Sequence, residues 1–62
     1  MSVHIDIGQL VRRRDQSRGV GWGLVVGLVL VEPVEALVRW SDAQHSTFEV
    51  VDGLVDAIQF LL

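Results

Sequence analysis

The chain has 62 residues, half of them apolar, and a formal charge of −3 at pH 7. That length allows one domain, residues 1–62, with a small core, since a chain of this size buries only about 60% of its unfolded surface. The absence of Cys excludes disulfides and zinc–thiolate centres, the apolar content excludes disorder, and five Arg against eight acids argue against a general nucleic-acid binder, which carries a basic face.

Strand signals dominate the chain. The first expected strand is Ile5 to Arg13, with Ile5, Ile7 and Val11 among its apolar residues. The polar run Arg14 to Arg18 reads as a loop. The second strand runs from Gly19 to Val31 with period two. Its even positions, Val20, Trp22, Leu24, Val26, Leu28 and Leu30, are bulky. Its odd positions hold Gly19, Gly21, Gly23 and Gly27, with Val25, Val29 and Val31 as an outward-facing apolar excess. Glycines inside a strand mark a bulge or sharp bend.

The run Val20 to Val31 within this uncharged segment would span roughly 18 Å as a helix, against a hydrocarbon core of about 30 Å. It is too short to cross a membrane. Gly19, Gly23 and Gly27 repeat at G-x-x-x-G spacing, but each Gly costs a helix interior about 1 kcal/mol relative to Ala. The N-terminal MSVHIDIGQLVRRR has no apolar stretch after a basic start, so it does not read as a signal peptide.

Glu32-Pro33 is a turn. Val34 to Trp40 is the third strand, with Ala36, Val38 and Trp40 on one face and Glu35, Leu37 and Arg39 on the other. Ser41 to Ser46 is a polar hairpin loop, and Thr47 to Val51 a short fourth strand. Val51 to Leu54 suits a single 3₁₀ turn, with Gly53 available for a positive φ. Val55 to Leu62 is the fifth strand. Five short strands, a polar loop after the first and a tight turn before the last match a small antiparallel barrel of the SH3-like type. Such a barrel also removes the edges that Val-rich strands would otherwise expose.

The segments G-Q-L-V-R-R at 8–13, G-V-G-W-G-L-V-V at 19–26, A-L-V-R-W-S-D at 36–42, F-E at 48–49 and D-G-L at 52–54 together resemble the small KOW/Tudor-like barrels. They resemble in particular short proteins common in bacteriophage genomes, and the resemblance covers nearly the whole chain. It implies an SH3-like fold and a virion accessory or structural role. Two positions depart from the pattern. Ala43 stands where a Gly usually follows W-x-D, and the aromatic cage of a methyl-lysine reader is missing, since the aromatic residues are Trp22, Trp40, Phe48 and Phe60.

No chemical constellation stands out. Ser41, Asp42, His45 and Ser46 share one loop, but a catalytic triad needs a buried, oriented carboxylate that an exposed hairpin does not supply. His4 and His45, with Asp6 or Asp42, lack metal-ligand spacing. Gly21, Gly23 and Gly27 miss the dinucleotide fingerprint by one residue and have no following helix. No catalytic residue, metal or cofactor is assigned.

Two features bear on a partner. Arg12, Arg13, Arg14 and Arg18 form the basic cluster, which reads as a solvated loop with local pairing to Asp15, or as a set suited to acidic groups at an interface rim or to a phosphate backbone. At the C-terminus, Phe60, Leu61 and Leu62 cannot all enter one small core from a strand, because successive side chains alternate faces. Leu37 adds to this excess, and exposed apolar patches mark interfaces. The expected protein is therefore an all-β, five-stranded antiparallel SH3-like β-barrel that is not an enzyme. Its expected role is structural: a bacteriophage virion component such as a capsid cement or decoration protein, binding a larger assembly, further copies of itself, or both. The alternative is a KOW-like nucleic-acid- or ribosome-associated module. The expected location is the virion, or otherwise the cytoplasm.

Overall fold

The computed structural model describes residues 5–15 and 21–58. They form five strands: β1 (Leu10–Arg13), β2 (Trp22–Val29), β3 (Glu35–Trp40), β4 (Ser46–Val50) and β5 (Leu54–Asp56). A 3₁₀ turn at Val51–Gly53 joins β4 to β5. All pairings are antiparallel, and the strands lie in one sheet in the order β4-β3-β2-β1-β5.

That order places β4 and β5 at opposite edges, although only three residues separate them in the chain. A flat five-stranded sheet would hold its edges about 19 Å apart, at ~4.8 Å per strand. The link from Val50 to Leu54 reaches at most ~14 Å when fully extended, and less in a 3₁₀ turn. The sheet must therefore curl, and its extents of 28 × 27 × 22 Å are those of a rolled sheet rather than a flat layer. Backbone bonds draw the ends together: the Arg14 amide donates to the Gly53 carbonyl (2.8 Å) and the Val51 amide to that of Val34 (3.0 Å).

The core lies inside the curl. It comprises Ile5, Val11, Val25, Ala36, Val38, Trp40, Val51 and Leu54, with Leu28 and Val34 packed against it. The expected face of β3 is observed: Ala36, Val38 and Trp40 are buried. The expected 3₁₀ turn and the Glu32-Pro33 bend are also present, the latter with a cis peptide bond, but Gly53 does not take the positive φ expected of it.

Three expectations are corrected. The first strand is shorter than Ile5 to Arg13. Residues 5–9 turn instead, with Gly8 at φ +91°, which a residue bearing a Cβ rarely adopts. The Asp6 carbonyl accepts from the Gln9 amide in this turn, and the Gln9 Oε1 accepts from the Asp6 amide. Ile5 still reaches the core, whereas Ile7 is exposed.

The fifth strand ends at Asp56 instead of running to Leu62. Its side chain accepts a hydrogen bond from the Ile58 amide (2.8 Å), a local turn that draws the backbone out of the ladder. Phe60, Leu61 and Leu62 lie outside the described residues.

The third correction concerns β2. Its first half turns the thin face inward: Gly23 and Val25 are buried, while Trp22, Leu24 and Val26 are exposed. The cause is on the neighbouring strand. Gly23 lies opposite Trp40, whose indole fills the core at that level. A Cβ on Gly23 would overlap Val38 Cγ1 and come within 2.9 Å of the Trp40 ring. The register then shifts between Val25 and Gly27, leaving Val26 as an extra residue. One inserted residue reverses the faces downstream. Leu28 therefore points inward with Ala36, and Gly27 and Val29 join the outer face opposite Leu37 and Glu35.

Candidate docking face

The outer face of the sheet is built by these parities. Cross-strand partners place Phe48, Leu37 and Gly27 in one row across β4, β3 and β2. The flanking row is Val50, Glu35 and Val29, and the other flank is Ser46, Arg39, Leu24 and Leu10. Trp22 follows at the end of β2, opposite Arg12. Phe48 is 60% exposed and Trp22 52%, and Leu24, Val26 and Val50 are also exposed. Leu37 and Leu10 are half-buried between them. In a chain of 62 residues this is a large apolar surface to leave in water.

Charge on this face is mixed. Glu35 lies between Val29 and Val50, Arg39 between Leu24 and Ser46, and Arg12 between Trp22 and Val55. Charged residues dispersed through an apolar patch suit a protein surface better than a phosphate backbone, which requires clustered cations.

The arginine cluster of the sequence is divided between locations. Arg12 lies on the outer face, half-buried. Arg13 turns inward and covers Trp40, its guanidinium carbon 3.8 Å from the ring centroid. It also approaches Glu49 of β4 at 3.8 Å. The Trp40 indole N–H donates to Thr47 Oγ1 (2.8 Å), which in turn donates to Glu49 Oε2 (2.7 Å). Arg13, Trp40, Thr47 and Glu49 thus form one connected group across the mouth of the curl. Arg14 is exposed, and its Nε donates to the Asp52 carbonyl (3.0 Å), fastening β1 to the 3₁₀ turn. Arg18 lies outside the described residues.

An open cleft of about 660 Å³ separates the β4 edge from the end of β1, lined by Arg13, Arg14, Asp15, Thr47, Phe48, Glu49, Val50 and Gly53. It marks where the β4 edge approaches the end of β1 and the 3₁₀ turn without pairing.

The hairpin loop after Trp40 serves the fold. The Ser41 amide donates to the Trp22 carbonyl (2.8 Å), and Ser41 Oγ accepts from the Trp22 amide (3.3 Å). Its hydroxyl is thereby tied to the backbone of β2, and no hydrogen bond joins it to His45 among the described residues. Among those residues no group of three His, Cys, Asp or Glu side chains is placed to hold a metal ion, and no helix is long and apolar enough to cross a membrane. His4 lies outside them.

Of the expected interface residues, Leu37 and Arg12 are on the outer face. Trp22, Leu24, Val26, Phe48 and Val50 were not anticipated there. A signal for them exists in the sequence: a strand whose odd positions are Gly offers little to a core, unless a large residue on the next strand needs the space. No family model matches this chain, and no curated protein and no solved structure shows significant similarity to it.

Proposed function

We propose that this protein is a non-enzymatic structural module that docks the outer face of its sheet onto a larger protein assembly. The observation that carries this reading is the exposed apolar surface of Trp22, Leu24, Val26, Phe48 and Val50 around Leu37. Burying such a surface supplies roughly 25 cal/mol per Å² of apolar area, and aromatic anchors of this kind dominate interface energies. Arg39 lies exposed among the apolar residues, where it pairs with an acidic group of the partner and helps set its orientation.

The fold we propose is an SH3-like barrel. Strand order β4-β3-β2-β1-β5, with a 3₁₀ turn before the last strand, supports it. The likeness of the sequence to short barrel proteins of bacteriophage genomes supports a phage particle as the assembly, with this chain as a cement or decoration subunit on the capsid. The nucleic-acid alternative has less support, because Arg13 and Arg14 are engaged within the fold and Arg12 and Arg39 are dispersed among apolar residues and Glu35 rather than clustered.

The test is mass spectrometry of purified particles, with wild-type protein and with Trp22→Ser/Leu24→Ser. Wild-type protein present at a fixed ratio to the major shell protein, with the variant absent, is the expected result. A variant retained as fully as wild type contradicts the assignment of the face. Tight, salt-sensitive binding of the isolated protein to DNA or RNA in a filter assay would contradict the class of partner.

A further inference from the structure

The free edge of β4 is a second surface, distinct from the outer face. Its hydrogen-bonding parity follows from the ladder. The Val51 amide donates to the Val34 carbonyl, so in the antiparallel β3–β4 register the pairs Ala36–Glu49 and Val38–Thr47 are hydrogen-bonded. The main-chain groups of Ser46, Phe48 and Val50 therefore point away from β3, toward the open cleft. No backbone bond to them occurs among the described residues.

Sheet edges are protected by shortness, Lys or other charge, Pro, a bulge, an inward-pointing charge or a covering element. β5 has three residues and is short. β4 has five, Ser46-Thr47-Phe48-Glu49-Val50, with no Pro, no Lys and no bulge. Its one charge, Glu49, points inward, the arrangement that can guard an edge, but here Thr47 and Arg13 of the same chain already partner it, so it is not left bare against an incoming strand.

We infer that β4 pairs antiparallel with β4 of a second copy of this chain, about a two-fold axis at Phe48. The strand is self-complementary in this register. Ser46 faces the second copy's Val50, and Phe48 faces its own counterpart. These are the residues whose main-chain groups point outward, so each facing pair exchanges both backbone bonds. Thr47 faces the second copy's Glu49, which sets a hydroxyl against a carboxylate and keeps like charges from direct opposition. The two Phe48 rings meet on the outer face as a cross-strand aromatic pair. The outer faces of the two copies then join into one apolar surface, presented twice to whatever the protein docks on.

Val50→Pro tests this without disturbing the chain itself. Val50 already has φ −64°, the value Pro imposes, and its N–H points away from β3, so the native ladder loses nothing. Sedimentation equilibrium of the wild-type protein should show a reversible dimer, and Val50→Pro should weaken it by about tenfold or more, since one donor is lost on each copy. A wild-type protein monomeric up to about 1 mM overturns the proposal. So does a dimer that Val50→Pro leaves unchanged, including one that Trp22→Ser dissociates instead. Should Val50→Pro fail to fold, amide exchange of the wild-type protein decides: exchange at Phe48 and Val50 should slow as concentration rises, and rates independent of concentration overturn the pairing.

Discussion

At the scale of the residue, Gly23 and Trp40 explain each other. The indole sits at 2% exposure where a Cβ on the facing strand would collide with it and with Val38. Gly23→Ala should therefore destabilise the fold by about 1–3 kcal/mol, the usual cost of overpacking. Urea unfolding measures this, and an unchanged midpoint would refute the close approach. Thr47 is the partner of the indole N–H. Thr47→Val removes the acceptor while keeping the shape, leaving a buried donor unpaired at a cost of about 1–3 kcal/mol. By contrast, Trp22→Ser should leave stability within about 0.5 kcal/mol, because this second tryptophan packs on the outside. The two tryptophans are thus predicted to differ in role, one holding the fold and one meeting the partner, and the two stability measurements separate them.

At the scale of the element, most strands were legible from the sequence, and their faces only in part. The face of β3 follows from simple alternation, because Ala36, Val38 and Trp40 are all apolar and the opposite face carries Glu35 and Arg39. β2 is apolar on both faces, so alternation gives its period and leaves the inward side undetermined. The neighbour decides it: the thin side faces in because Trp40 occupies the space opposite Gly23. The bulge at Val26 then returns Leu28 to the core, which no count of apolar residues along β2 alone would place. β5 was overextended for a similar reason. The apolar tail suggested a strand, but the Asp56 side chain bonds the Ile58 amide and turns the chain. The bulge makes a further prediction. Deleting Val26 should remove the extra residue and leave plain alternation, with Gly27 still opposite Leu37 and Leu28 still inward opposite Ala36. The deletion variant should therefore keep the fold, with a loss below about 2 kcal/mol in urea unfolding. A loss of about 2–5 kcal/mol, as for truncating a buried leucine, would show that Leu28 had left the core and contradict this register.

At the scale of the whole molecule, a short chain with half its residues apolar has more apolar surface than its core can hold. The curled sheet buries one face around Trp40 and leaves the other in water. The outer face and the β4 edge are adjacent but answer to different chemistry: side-chain burial for the face, main-chain pairing for the edge. Trp22→Ser alters the face alone, and Val50→Pro removes a main-chain donor of the edge while keeping an apolar side chain on the face, so the two variants separate them. The arginines divide along the same lines, with Arg13 closing the core over Trp40 and Arg12 set in the outer face. The most direct test of the docking claim is the composition of purified particles carrying wild-type protein or Trp22→Ser/Leu24→Ser. The claim predicts wild-type protein in fixed proportion to the shell and loss of the folded variant. Particles lacking the wild-type protein, or retaining the variant in full, would contradict it.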